Sequence, residues 1–218
     1  SSIQEADYFL SEYVEVVKAI SEHKIDANLS IKPTAFGLLI DKQKGMQNIE
    51  ELVSMANQHN MFVRLDMEDH RVTDDTIQAV IDLHEKGLRN VGTVLQGRLF
   101  RTIDDIKQLQ KSLGSSADYR ICKGIYLEPE SISHIGYSQI VEATNAYIDS
   151  MLDAGAYTSI ASHDIAVIEH ALQSLKSRGM GPNIEDPREN AGPERLHKGP
   201  GYEFQMLLGV SGPIRRKL

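Results

Sequence analysis

The sequence predicts an α/β fold of the closed β/α-barrel, TIM-like class. Three observations carry this. Short apolar runs alternate with amphipathic helices along the whole chain, which implies a parallel sheet with right-handed crossovers. The runs are apolar along most of their length, as expected for strands covered on both faces. No Gly-x-Gly-x-x-Gly turn occurs, which argues against an open dinucleotide-binding sheet.

Each element has a local reason. Ser2-x-x-Glu5 reads as a capping box. It opens a helix whose Ile3, Ala6, Leu10, Val14, Val17 and Ile20 keep three-to-four spacing. Residues 27–33 read as a strand ended by Pro33. Asn48-x-x-Glu51 predicts the cap of a second helix running to about Asn57, and residues 62–68 the next strand. Thr73 is expected to start a third helix that Gly87 ends as a C-cap. Residues 90–95 follow as a strand, and Thr102-x-x-Asp105 as the cap of the next helix. A strand is predicted over 120–126, a helix over 137–153 stopped near Gly155, and a strand over 157–162. Asp164 is expected to cap the helix that Gly179 ends, and 203–208 to form the sixth strand. Residues 180–201, rich in Gly, Pro and charge, read as a mobile loop.

Composition excludes several classes. The net charge of -8 argues against a nucleic-acid partner, as does the lack of a basic run interleaved with aromatics. The single cysteine, Cys122, rules out an internal disulfide framework and fits a reducing compartment. No apolar run approaches the roughly 20 residues that cross a bilayer, and the first residues are polar and acidic, without signal-peptide character. The 218 residues suffice for one large domain with a full core or two small ones, and a cytoplasmic protein is the expectation.

In β/α barrels active sites gather at the C-terminal ends of the strands. Those ends carry Lys32, Asp66 with Glu68, Gln96, Arg120 with Lys123 and Tyr126, Ser162 with His163, and Glu203 with Gln205. The set is rich in cations and hydrogen-bond donors. Placing cations in an apolar run costs several kcal/mol, roughly, unless an anion or a developing negative charge meets them. Each member also has a bland reading. Lys32 before Pro33 can point to solvent, Asp66 can cap a turn, and Gln96 can satisfy strand-end backbone. Arg120 and Lys123 can pair with Asp66 and Glu128 as a structural network. Tyr126 can be core with its hydroxyl at the rim, and a lone histidine such as His163 is more often structural. Asp66, Glu68, His70 and His163 could be put forward as metal ligands, but no His-x-His or His-Glu-x-x-His spacing supports them. No metal is expected. A Schiff-base lysine, Lys32 or Lys123, stays open as an aldolase reading, activated by neighbouring cations and desolvation.

Six short motifs lie in one order: Ser30-Ile31-Lys32-Pro33-Thr34-Ala35, Asp66-Met67-Glu68-Asp69, Val94-Leu95-Gln96, Arg120-Ile121-Cys122-Lys123-Gly124-Ile125-Tyr126, Ser162-His163 and Glu203-Phe204-Gln205-Met206-Leu207. In that order the chain resembles the proline dehydrogenases, most nearly the bacterial monofunctional type. The resemblance implies a (β/α)8 barrel with six of its eight strands identifiable here. It implies FAD as cofactor, L-proline as substrate, Δ1-pyrroline-5-carboxylate as product and a membrane quinone as electron acceptor. With the quinone comes peripheral membrane contact at the inner face. Carried over by motif, Asp66 and Arg120 would be catalytic, Arg120 lying near flavin N5. Lys32 would contact the proline carboxylate, with Tyr126 and Leu207 walling the proline ring. Met67, Gln96, Arg120, Lys123, Gly124, Ile125, Ser162 and His163 would hold the flavin.

There are departures. Gly97 and Arg98 stand where the family has a small residue and a tyrosine, and Ser162 stands for a threonine. The family's first strand would precede Ser1. Its last strand, and the arginine pair that clamps the proline carboxylate, would follow Leu218. Arg215 and Arg216 sit too close behind Glu203-Phe204-Gln205 to be that pair and read as part of the preceding helix. The expectation is a barrel truncated at both ends that binds proline weakly on its own. A non-catalytic barrel fragment is the third reading.

Overall fold

The computed structural model describes residues 2–189, 200–210 and 212–216. The chain forms two compact units, Ser1–Thr93 and Val94–Leu218. The first holds α1 (Ile3–Glu22), β1 (Leu29–Ile31), a 3-10 turn (Pro33–Phe36), α2 (Lys42–Gln58), β2 (Val63–Leu65) and α3 (His70–Glu85), with the start of β3 (Val91–Gln96). The second holds the end of β3, then α4 (Thr102–Leu113), β4 (Asp118–Cys122), α5 (Tyr137–Asp153), β5 (Tyr157–Ala161), α6 (Ile165–Ser177), β6 (Tyr202–Gln205) and α7 (Gly212–Arg215). Strand order in the sheet is chain order, β1-β2-β3-β4-β5-β6. The registered pairs are parallel, with Ser30 opposite Arg64 in unit 1 and Arg120 opposite Ser159 opposite Glu203 in unit 2. Each strand is followed by a helix, as the alternating pattern requires.

Each unit has its own core. In unit 1, Ile31, Val63 and Leu65 lie fully buried with Ile49, Leu52, Val53 and Val80 of the helices. In unit 2, Tyr119 and Ile160 do so with Ile148 and Met151. Burial of each such aliphatic side chain contributes about 1.5–3 kcal/mol, far more than any surface ion pair of the fold.

Several predicted boundaries move, for local reasons. The Ser2 capping box forms as read, with Glu5 reaching back to the Ser2 amide. The second helix starts earlier, because Asp41 accepts from Lys44 N at 3.0 Å and is the cap. Asn48 is buried mid-helix, its amide donating to Asp7 Oδ1 and to the Phe36 carbonyl. The third helix is capped by Asp69, which leaves Thr73 buried inside it. The Thr102-x-x-Asp105 box does not form: Thr102 Oγ1 donates to the Gln96 carbonyl at 2.6 Å, and Asp105 accepts from Arg101. The 120–126 strand ends at Cys122, since Gly124 takes φ +98° and turns the chain out of the sheet. The strands predicted over 27–33, 62–68 and 203–208 are likewise shorter. Asp164 caps α6 as expected, and Gly87 and Gly179 adopt the positive φ of helix-ending glycines. Of the 180–201 segment, residues 190–199 lie outside the described part. Before them Arg188 binds the carbonyls of Leu152 and Ala156.

Candidate functional site

In unit 1 the chemistry gathers where β1 and β2 end. Asp66 follows β2, and its Oδ1 accepts from Ser30 Oγ of β1 at 2.7 Å. Lys32, the residue after β1, puts Nζ 3.8 Å from Asp66 Oδ2 while its side chain stays 60% exposed. A pair this open contributes about 0–1 kcal/mol to stability, too little to explain a fixed arrangement. What it offers instead is an ammonium beside a carboxylate, the complement of an amino-acid zwitterion. Glu68 does different work: buried, it accepts from Thr34 N at 2.9 Å and Thr34 Oγ1 at 2.7 Å, which holds the turn after Lys32 in place. Met67 is buried beside Asp66 in the chain.

Unit 2 fixes its donors more tightly. Arg120, on β4, donates through Nε to Gln205 Oε1 of β6 at 2.5 Å. Gln205 in turn donates to Glu203, which also accepts from Ser159 Oγ at 2.9 Å and Tyr157 OH at 3.3 Å. The guanidinium is thus held in one orientation by a chain of side chains across three strands. Lys123 donates to Asp164 Oδ2 at 2.6 Å and lies 5.1 Å from the centre of the Tyr137 ring. Tyr137 OH donates to the other oxygen of Asp164 at 3.1 Å. Burial pushes the Asp164 carboxyl up, but its bonds from Lys123 and Tyr137 outweigh this and hold it below the usual carboxylate range. The bond to Asp164 raises the Tyr137 phenol above its ordinary value.

The remaining predicted residues belong to unit 2. Gln96 is buried at the end of β3. Gly124 approaches it so closely that a Cβ there would lie 2.6 Å from Gln96 Oε1. Ser162 Oγ accepts from Asp164 N at 3.1 Å, and His163 Nε2 accepts from Leu207 N at 3.1 Å. Tyr126 is half-buried, while Ile125, Leu127, Leu207 and Leu208 are strongly exposed on the segments that follow β4 and β6. Fixed cations and amide donors next to uncovered aliphatic side chains suit a flat ring that gains negative charge. Among the described residues no group of three or more His, Cys, Asp or Glu is placed to hold a metal ion.

The Schiff-base reading loses its physical basis here. Lys32 is exposed and faces a carboxylate, and Lys123 is bonded to one, whereas activation was to come from desolvation and neighbouring cations. Of the cations read as a structural network, Lys123 pairs with Asp164 rather than Glu128, and Arg120 binds Gln205. Asp164 was legible only as a cap; its second role depends on Lys123, 41 positions away. In the sequence Arg98 stands out only as a departure from the family, yet its Nη1 donates to the Tyr126 carbonyl at 2.7 Å.

The chain matches the family model described as proline dehydrogenase over residues 1–218. It is 30% identical over 210 residues to Proline dehydrogenase 2 of Bacillus subtilis (strain 168), a match covering 95% of this chain and 61% of that protein. It is 27% identical over 214 residues to the proline dehydrogenase of Deinococcus radiodurans, covering 96% of this chain and 63% of the other. The chain therefore spans less than two thirds of the length of these relatives. Among solved structures it resembles proline utilization A from Bdellovibrio bacteriovorus, with a TM-score of 0.84 at 18% identity over 99% of this chain and 25% of that one. Proline utilization A from Bradyrhizobium japonicum gives a TM-score of 0.78 at 14% identity, over 99% of this chain and 24% of the other. At such identities the likeness speaks for the fold, an α/β fold with parallel strands of the TIM-barrel-like kind. With the family match running from end to end, the chain belongs to the proline dehydrogenase family.

Proposed function

We propose that the protein carrying this chain oxidises L-proline to Δ1-pyrroline-5-carboxylate with bound FAD and passes the electrons to a quinone. The observation that carries the reading is the donor set of unit 2, in which Arg120 and Lys123 are each fixed by a partner at the strand ends. FAD fits those residues. Gln96, Arg120, Lys123, Ser162 and His163 supply donors and positive charge, Gly124 leaves no side chain in the way, and Ile125 is free to pack on a ring. When bound, the flavin supplies a two-electron acceptor.

The protein's own residues do the rest. Lys32 takes the substrate carboxylate, and Asp66, oriented by Ser30, faces the substrate amine. Product formation removes a hydride from the ring carbon next to nitrogen and a proton from the nitrogen, leaving a C=N bond. Asp66 is the carboxylate placed to steer the nitrogen and its proton. Arg120 stabilises the negative charge that accumulates as electrons arrive, and a fixed donor of that kind contributes about 3 kcal/mol. Because the Gln205–Glu203 chain already holds the guanidinium, no reorganisation is needed when the charge appears. Tyr126 and Leu207 would wall the proline ring, and Met67 would pack against the flavin.

A membrane quinone places the protein at the cytoplasmic face of a membrane as a peripheral partner. Among the described residues no helix is long and apolar enough to cross a membrane. The test is proline-dependent reduction of a soluble dye by the full-length, FAD-saturated protein, with the pyrroline product trapped. Turnover with proline supports the reading. Full FAD loading with no proline-dependent reduction overturns it.

A further inference from the structure

The segment 123–126 carries Lys123, Gly124, Ile125 and Tyr126, yet little apolar packing holds it. Ile125 is 86% exposed and Leu127 94% exposed, and the strand that leads into it stops at Cys122. Polar bonds fix its path: the Lys123 side chain is tied to Asp164, and the main chain is tied to the segment after β3. Gly97 N donates to the Cys122 carbonyl at 2.7 Å and Arg98 N to the Lys123 carbonyl at 2.9 Å. The Arg98 carbonyl accepts from His134 N at 2.8 Å. The Arg98 side chain then reaches past the turn at Gly124 and donates through Nη1 to the Tyr126 carbonyl at 2.7 Å. Its Cγ also sits 3.4 Å from where a Cβ on Gly124 would be.

We propose that Arg98 is a positioning residue, which fixes the 123–126 segment by binding its backbone on both sides of Gly124. The guanidinium matters for two reasons. A bond from a charged donor to a carbonyl is stronger than one between neutral groups. In addition, the length of the side chain carries Nη1 over the Gly124 turn to an acceptor that a shorter donor would not reach. The proposal rests on the reading of 123–126 as the flavin-lining segment, and it adds the residue that holds this segment in place before any ligand arrives.

Cys122, the chain's only cysteine, reports on the segment without FAD. It is half-buried at the last position of β4, its Sγ turned to the Leu95 carbonyl, and release of 123–126 would uncover it. The experiment compares alkylation of Cys122, followed on its own peptide, in flavin-free full-length wild type, Arg98→Met and Arg98→Lys, alongside thermal midpoints and FAD titrations. The methionine variant is expected to label roughly tenfold faster or more at an unchanged midpoint, the scale of losing one charge-assisted bond by local opening. The lysine variant should fall between it and wild type, and FAD affinity should follow the same order. Equal labelling rates in all three proteins overturn the proposal, whatever happens to FAD affinity. If Arg98→Met does not fold, Arg98→Lys must still label faster than wild type for the proposal to stand. Wild type that cannot bind FAD defeats the functional reading instead, and the labelling order still decides the role of Arg98.

Discussion

The two units treat their strand-end cations differently. In unit 1, Lys32 stands 3.8 Å from Asp66 with most of its side chain in solvent. In unit 2, Lys123 is 2.6 Å from Asp164, and Arg120 is anchored to Gln205. An unanchored ammonium suits a ligand that arrives and leaves, because it gives up little to turn toward it. Anchored donors suit a resident group whose charge changes in place, because their orientation is set before the charge appears. On the proposed reading, the exposed Lys32 serves the exchanging substrate, and the anchored Arg120 and Lys123 serve the resident flavin.

The largest expected effect tests the anchored side. Arg120→Met in the full-length protein should lower kcat by about 10²–10³, the cost of one fixed donor on a developing charge. Lys32→Met should act mainly on the proline KM, and steady-state kinetics on the pair will show whether the two effects separate. A structural test of unit 2 comes next. Gly97→Ala would place a Cβ 1.9 Å from Thr144 Oγ1 and 2.9 Å from Thr144 Cβ, an overpacking that costs about 1–3 kcal/mol. Adding Thr144→Ala should recover part of that loss, as a double-mutant cycle by denaturant unfolding would record. Asp164→Asn keeps an acceptor for the α6 cap but releases Lys123, and should cost about 1 kcal/mol while weakening FAD binding.

Smaller effects concern unit 1. Bonds from the Arg71 side chain outweigh burial and hold Asp69, the α3 cap, down to about 2. A carboxyl depressed by folding adds stability above its unfolded pKa, and this is lost as pH falls through the folded one. The Asp69 contribution is therefore intact at neutral pH and disappears as pH falls from about 4 toward about 2. Asp69→Asn should flatten that acid limb in a pH series of unfolding curves, with less than about 1 kcal/mol lost at neutral pH because the pair is at the surface. Lys32→Met should be smallest of all, within about 0.5 kcal/mol in stability despite its effect on KM.

Much of this was legible in the chain. All six strands and their order follow from apolar runs between amphipathic helices, and the Ser2 and Asp164 caps form as read. What misled was competition between candidate caps. Thr73 and Thr102 have the right chemistry, but Asp69 precedes one and the Gln96 carbonyl claims the other. At the site, residue types at strand ends were readable because parallel strands share one end. The partner of Lys123 was not readable, since it meets Asp164 rather than Glu128. Nor was the bond from Arg120 to Gln205, 85 positions away. Local spacing carries no information about either bond. Arg98 was visible only as an unexpected residue after Gln96, since its reach to the Tyr126 carbonyl depends on the Gly124 turn.

One absorbance titration bears most directly on the division of labour. Flavin-free full-length wild type, Lys32→Met and Arg120→Met would each be titrated with FAD and then, without air, with L-proline until the flavin bleaches. The account predicts a crossed result: Lys32→Met takes up FAD like wild type and bleaches only at much higher proline, whereas Arg120→Met binds FAD more weakly. If Lys32→Met loses FAD, or Arg120→Met binds FAD as tightly as wild type does, the assignment of Lys32 to the substrate and Arg120 to the flavin is contradicted.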